Sequence, residues 1–411
     1  MPDTLREAPG RPASYSGAPA RRPRRILLLE ANEDGTVGGS HQILHDLSIG
    51  MDRRRYEPVV VFYQENIFAA RLRERGVEVH VFDAMRKQER SLHQRGRLID
   101  LPAAYLGPIA RRIRFLRKHR IDLIHVNNSP KVGGDDWLPA SRIVRIPCIA
   151  NAVGDARGEQ HPIKRLLFRS FDHVIPCSQY LADAMVRAGY APARMDLVYP
   201  GVDIEAFRER ARRSREEVRA ELGIAPDVIL ASMVGNVREW KGQHVVLSAL
   251  ERLAPSVRDK LHVMFIGAAT PADEPFRRAL AATVMRAGLE RVVSFLGARL
   301  DVPDLVNAAD LAIHASVKPE PFGLVVVEAM ALGKPVIGAS TGGPAEVLTP
   351  ECGITHDVQD PGELARALTR LVNDPAERAR LGANALIRVE EFSVRRTIEG
   401  TERVYQRFLA D

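Results

Sequence analysis

Two carboxylates, Glu320 and Glu328, stand with seven residues between them in the run Glu320-Pro-Phe-Gly-Leu-Val-Val-Val-Glu328. The first follows an apolar strand, and the second sits one or two turns inside an apolar helix, flanked by Val325, Val326, Val327, Ala329 and Met330. A carboxylate in such surroundings is costly unless something hydrogen-bonds it, and a sugar diol is a natural partner. Gly333-Lys-Pro and Thr341-Gly-Gly-Pro-Ala-Glu346 follow closely. Two glutamates at this spacing occur by chance in many proteins. The Pro-Phe-Gly turn, the apolar helix and the later Gly-Gly loop argue against coincidence.

Other residues suit an anion. Gly323 and Leu324 open the helix, where backbone N–H groups can receive a diphosphate. Gly342 and Gly343 allow close backbone approach, whereas Gly333 reads as a tight turn. Gly235-Asn-Val-Arg238-Glu-Trp-Lys241-Gly242 runs from a strand into a helix start, and Lys241 is a compact charge suited to a departing phosphate. Gly38-Gly39-Ser40 also follows a strand and opens a helix, although a Gly-Gly pair alone is weak evidence. His41 and His45 share a helix face but lack a third ligand, so a polar face is the reading adopted.

Strands and helices alternate throughout, which predicts parallel sheets with crossover helices. Strands are expected at 26–30, 58–63, 77–82, 121–126, 147–153, 173–177 and 196–199, then at 228–234, 262–266, 292–296, 311–314 and 335–338. Helices are expected at 41–49, 179–188, 242–253, 275–287, 302–308 and 324–332, and 208–221 reads as one exposed helix. Two series of about 180 residues each imply two doubly wound α/β domains facing each other. The expected units are a disordered basic tail at 1–25, an N-terminal domain at 26–200, a C-terminal domain at 201–390 and a final helix within 391–411. The hinge is placed at 200–207.

The 411 residues, 45% hydrophobic and 6% aromatic, suit a soluble protein of two or three domains. No apolar run is long enough to span a membrane. Cys148, Cys177 and Cys352 are widely spaced, which argues against a disulfide framework or a structural zinc site. The N-terminal leader lacks the apolar core of a secretory signal, and its Arg21, Arg22, Arg24 and Arg25 read as solvated. The net charge is +7. Arg111, Arg112, Arg114, Arg117, Lys118 and Arg120 crowd a helix expected over 106–120, reading as a solvated face or as one resting on anionic lipid headgroups. No motif accompanies this charge that would suggest nucleic acid.

The Glu320-Pro-Phe-Gly-Leu…Glu328 pattern resembles the signature of retaining GT-B glycosyltransferases, in particular glycosyltransferase family 4 (glycosyl transferases group 1). The resemblance spans nearly all of residues 25–405, specific in the second half and loose in the first. It implies the GT-B fold, two Rossmann-like domains with a cleft between them and the last helix returning to the first. It further implies transfer of a hexose-type sugar from a nucleoside-diphosphate sugar to a hydroxyl acceptor with retained configuration. The default acceptor is a cell-surface polysaccharide or lipid-linked glycan. Neither cofactor nor metal is expected; no Asp-x-Asp motif appears, and Asp135-Asp136 reads as a polar loop. A cytoplasmic location is expected, with peripheral contact at the inner membrane face.

By the same resemblance, Glu320 and Lys241 serve the transfer. Glu328 binds the nucleotide ribose, Phe322, Gly323 and Leu324 line the donor site, and Gly39 approaches donor phosphate across the cleft. Gly297-Ala-Arg299 resembles a base-binding turn, with Arg299 either stacked on the base or solvated. Two departures stand out. Asn236 occupies the family's arginine position, with Arg238 two residues on as a substitute. Val153 replaces a family histidine, leaving Asn151, Asp155 or His161 to supply the polar contact. Ser178 matches a common family serine, and Pro200 replaces a frequent asparagine. The rival readings are a sugar-nucleotide 2-epimerase, which shares the architecture but lacks the Glu320 pattern, and a sugar-nucleotide-binding protein without turnover.

Overall fold

Short apolar runs, buried on both faces, form two parallel sheets in a computed structural model that describes residues 22–30, 38–82, 101–129, 137–153 and 169–409. Residues 1–21, Asp135-Asp136, Asp155 and His161 lie outside the described residues. The first sheet contains β1 (Arg24–Glu30), β2 (Tyr56–Phe62), β3 (Glu78–Val81), β4 (Leu123–Ser129), β5 (Cys148–Ala152) and β6 (His173–Pro176). Their order is β3-β2-β1-β4-β5-β6. The second contains β7 (Ile229–Val234), β8 (Leu261–Ile266), β9 (Val293–Gly297), β10 (Leu311–Ile313), β11 (Val336–Ala339) and β12 (Gly353–His356), ordered β12-β11-β10-β7-β8-β9. Helices on both faces bury Val, Ile and Leu side chains against each sheet.

Each sheet has one point where its strand order reverses, between β1 and β4 in the first and between β7 and β10 in the second. Crevices at the carboxyl ends of such strands are where open α/β sheets hold ligands. The chain crosses between domains near Val202, which pairs with Ser393. The terminal helix, Val394–Leu409, lies against the first sheet. There the Tyr405 hydroxyl is 2.6 Å from His125 Nδ1, both side chains buried, and Glu402 accepts a hydrogen bond from the Asp52 N–H.

Several local expectations fail, each for a tertiary reason. β1 starts at Arg24, and the last three arginines before and within it are paired: Arg22 and Arg24 with Asp122, and Arg25 with Glu78. Residues 196–199 form no strand; only isolated bonds such as Val198 N–H to Pro176 O tie them to β6. The 208–221 segment splits into Ile204–Glu209 and Arg215–Glu221, the latter started by a Ser214–Glu217 capping box. Arg219 in that second helix is buried, donating to the Ala225 and Val228 carbonyls and to Asp310. In the Leu101–Lys118 helix Arg112 is likewise buried, its guanidinium 5.3 Å from the ring centres of both Phe82 and Trp137. His41 is no polar face: it is buried and stacks on Phe62. β12, with the polar sequence Gly-Ile-Thr-His, was not foreseen.

Candidate functional site

The second-domain crevice is lined by Ser232 and Val234 of β7, by Ala312, Ile313 and His314 at the end of β10, and by Val325, Glu328 and Ala329 of the Leu324–Ala331 helix. Beside it, Glu320 is buried on the loop after β10. Its Oε1 lies 2.6 Å from Lys241 Nζ and 3.1 Å from His314 Nε2, and it also accepts the Ser316 hydroxyl. Burial pushes this carboxyl up, but His314 and Lys241 outweigh burial and hold it below the usual carboxylate range. Glu320 is therefore a fixed anion. Its three partners all take Oε1, and among the described residues no hydrogen bond to Oε2 is found.

Lys241 ends a single 3₁₀ turn, Glu239–Lys241, and its ammonium lies 4.4 Å from the Trp240 ring centre. The next residue must be glycine. Gly242 has φ of 80°, and an added Cβ would fall 1.8 Å from the Ala315 carbonyl oxygen. That close approach brings Lys241 beside the loop carrying Ser316 and Glu320. Gly343 fixes the other side, donating its N–H to the Glu320 carbonyl at 2.9 Å.

Glu328 has the opposite electrostatics. Its half-buried carboxyl accepts no hydrogen bond from the described residues, and removal from water pushes it up to about 7, with Arg210 opposing. It is an acceptor without a donor, facing a crevice. The helix that carries it is anchored at its carboxyl end by Arg208, which donates to the Ala331 carbonyl at 2.8 Å. At its amino end Gly323 is left-handed, φ 90°; the Val326 N–H already bonds the Gly323 carbonyl at 2.9 Å, and the Leu324 and Val325 N–H groups precede that first bond of the helix. Leu324 faces Gly39 of the first domain so closely that a Cβ on Gly39 would be 2.8 Å from it. The two helix starts thus meet across the cleft.

Other candidate residues are placed differently. Arg238 binds Asp273 at 3.1 Å. Arg299 is partly exposed and paired: it forks onto Asp301 at 2.7 and 2.6 Å and reaches Glu221 at 3.1 Å. Phe322 is buried, with its ring centre 6.0 Å from that of Tyr199 and 5.8 Å from that of Phe392, so it builds the domain junction. Gly297 has φ of 68°, and its carbonyl accepts the Gly267 N–H at 2.8 Å. Ser178 caps the Gln179–Arg187 helix. In the first-domain crevice, buried Asn127 donates to Glu30 and to the Ser40 carbonyl, both at 2.8 Å, and Asn151 donates to Asn127 at 3.2 Å. Asn151 lies near Val153, and among the described residues its buried Oδ1 has no close hydrogen-bond partner, with His125 the neighbouring polar side chain.

Sequence reasoning missed His314, Ser316 and Arg210. Ser316, four residues before Glu320, carried the only local signal. At the edge of the first sheet, Glu78 Oε1 lies 2.8 Å from His80 Nε2 and 2.6 Å from His119 Nδ1, and Arg25 holds the carboxylate's other oxygen. The trio is a hydrogen-bonded network, with the Arg25–Glu78 ion pair at one side, away from the cleft.

Residues 37–206 match the family described as Glycosyltransferase Family 4, and residues 214–388 match Glycosyl transferases group 1. The chain is 30% identical over 315 residues to D-inositol 3-phosphate glycosyltransferase 2 of Catenulispora acidiphila, covering 73% of this chain and 69% of that protein. It is 30% identical over 342 residues to the D-inositol 3-phosphate glycosyltransferase of Saccharomonospora viridis, covering 77% of each. Among solved structures, Anabaena Alr3699/HepE in complex with UDP superposes with a TM-score of 0.77 at 27% identity, covering 93% of this chain and all of that one. The same protein with UDP-glucose gives 0.75 at 26%, covering 93% and 99%.

Proposed function

Because this chain belongs to glycosyltransferase family 4, with a two-domain GT-B fold, we propose that it transfers a hexose-type sugar from a nucleoside-diphosphate sugar to a hydroxyl acceptor, with retention of configuration. One observation carries the reading: a fixed anion, Glu320, and an unpartnered acceptor, Glu328, stand at the switch point of the second sheet beside Lys241. The UDP and UDP-glucose complexes of the Anabaena protein support a uridine nucleotide as the donor class.

In this reading Glu328 accepts the ribose hydroxyls, which supply the donors it lacks. The diphosphate lies against the open first turn at Gly323 and Leu324, and Lys241 neutralises it as it leaves. Glu320 cannot act as an acid because it holds no proton at physiological pH. Its Oε2 orients a sugar hydroxyl, and its charge stabilises positive charge developing at the anomeric carbon. The leaving phosphate oxygen takes the acceptor's proton on the face it departs from, so no second carboxylate is needed as base. The acceptor enters from the first domain, over Glu30, Asn127 and Asn151. We further propose that the exposed Arg114, Arg117 and Lys118 rest on an anionic membrane face when the acceptor is lipid-linked.

The names of the relatives favour a second acceptor class, an inositol phosphate. The test incubates the protein with UDP-glucose and either D-inositol 3-phosphate or a polyprenyl-diphosphate-linked sugar, and reads the product's anomeric proton by NMR. An α-linked product supports retaining transfer. A β-linked product, or an isomerised sugar nucleotide, contradicts it.

A further inference from the structure

The loop that packs under Glu320 also grips the other domain. Glu346 follows Gly342-Gly343-Pro-Ala, and its carboxylate accepts three hydrogen bonds from the first-domain side. They come from the Gln179 N–H at 2.8 Å, the Tyr180 N–H at 2.6 Å and the Tyr199 hydroxyl at 3.0 Å. Gln179 and Tyr180 open the Gln179–Arg187 helix, so an anion meets two orphan N–H groups and the positive end of a helix. Tyr199 remains a donor, because burial and then Glu346 itself push its hydroxyl up to about 12. On the far side the same loop is fixed by Arg388, which donates to the Glu346 carbonyl at 3.1 Å, and by the Gly343 N–H on the Glu320 carbonyl. A continuous hydrogen-bonded path therefore runs from the first-domain helix through Glu346 to the backbone of Glu320.

We propose that Glu346 is a positioning residue: its carboxylate sets the distance between the acceptor domain and the Glu320 loop, and so the rate of transfer once donor is bound. This rests on the transfer reading above. It assigns Glu346 no contact with the nucleotide, so its loss should lower turnover and leave donor affinity intact.

The experiment uses the full chain labelled at two exposed positions, Val186→Cys on the gripped helix and Met285→Cys in the second domain. The three native cysteines are buried and would not compete for label. Pulsed electron spin resonance reads the interdomain distance, calorimetry reads UDP affinity, and a coupled assay reads UDP released from UDP-glucose with D-inositol 3-phosphate or the polyprenyl-diphosphate-linked sugar supplied as acceptor. For Glu346→Ala the expected result is a broadened distance distribution, UDP affinity within about twofold of wild type and a turnover loss of about tenfold, the scale of one hydrogen bond to a charged group. Glu346→Gln keeps one acceptor oxygen and is expected to recover part of the loss. Tyr199→Phe removes one bond of three and is expected to give a smaller change of the same kind. An unchanged distance distribution in Glu346→Ala would overturn the proposal, as would equal losses of affinity and turnover. If wild type releases no UDP, the transfer reading fails, and the distance distribution still decides the clamp.

Discussion

At the scale of single residues, Glu320 and Glu328 are the same chemical group pushed in opposite directions. Glu320 is held ionised by His314 and Lys241, whereas Glu328 retains its proton up to about pH 7 because water is removed and little replaces it. The sign of the consequence is fixed. The unfolded chain releases the Glu328 proton near 4.5 and the folded protein near 7, so the contribution of Glu328 to stability is greatest below 4.5 and is lost as pH rises through 7, whereas Glu320 acts in the opposite sense. Because the carboxyl keeps some contact with solvent, the loss is on the order of 1 to 3 kcal/mol. Glu328→Gln is accordingly expected to raise the melting temperature of the free protein at pH 8 while weakening nucleotide binding. A fall in both would refute this account of Glu328. Donor affinity in wild type should also weaken as pH falls below 7, a trend that calorimetry across pH 6 to 8 would detect. For Lys241→Ala, the expected loss is in turnover by about a hundredfold or more, the scale of removing one group that stabilises a leaving anion. Equal turnover would exclude Lys241 from the reaction.

At the scale of elements, the site depends on turns that permit only glycine. Gly242→Ala forces a Cβ into the Ala315 carbonyl at a left-handed residue. It is expected to cost more than about 2 kcal/mol and to move Lys241 from Glu320, seen as a lowered denaturation midpoint. These turns were legible in the sequence, as were most strands, because a strand buried on both faces leaves a continuous apolar run. What was not legible depended on distant partners. β12 is a polar edge strand recognisable only by its pairing with β11, and residues 196–199 look like a strand but find no ladder. Arg112 and Arg219 read as solvated because Phe82, Trp137 and Asp310 lie far away in sequence. At the site, the two glutamates announced themselves by spacing. His314 did not, since a histidine at the end of an apolar strand carries no local mark of the carboxylate it faces.

At the scale of the whole molecule, two sheets of like design present their switch points to one cleft, and the terminal helix and the Glu346 loop tie the halves together. The helix docks through Tyr405, whose hydroxyl meets His125 in the first core. Tyr405→Phe is expected to destabilise the first domain by about 1 to 2 kcal/mol by leaving the buried His125 Nδ1 without its partner, and chemical denaturation would show this. No described helix is long and apolar enough to cross a membrane, and the membrane contact proposed above rests on surface charge. Arg114→Glu with Arg117→Glu should then reduce sedimentation with phosphatidylglycerol vesicles, and unchanged sedimentation would remove that part of the proposal. The central claim is that a sugar nucleotide sits in the second-domain crevice with its ribose on Glu328. Calorimetric titration of wild type and Glu328→Ala with UDP, GDP, ADP and dTDP tests it most directly. The account predicts that wild type binds one of these selectively and that the variant binds it at least about tenfold more weakly, the loss expected for hydrogen bonds to a charged group. Equal affinity in the two proteins, or no binding of any of the four by wild type, would contradict it.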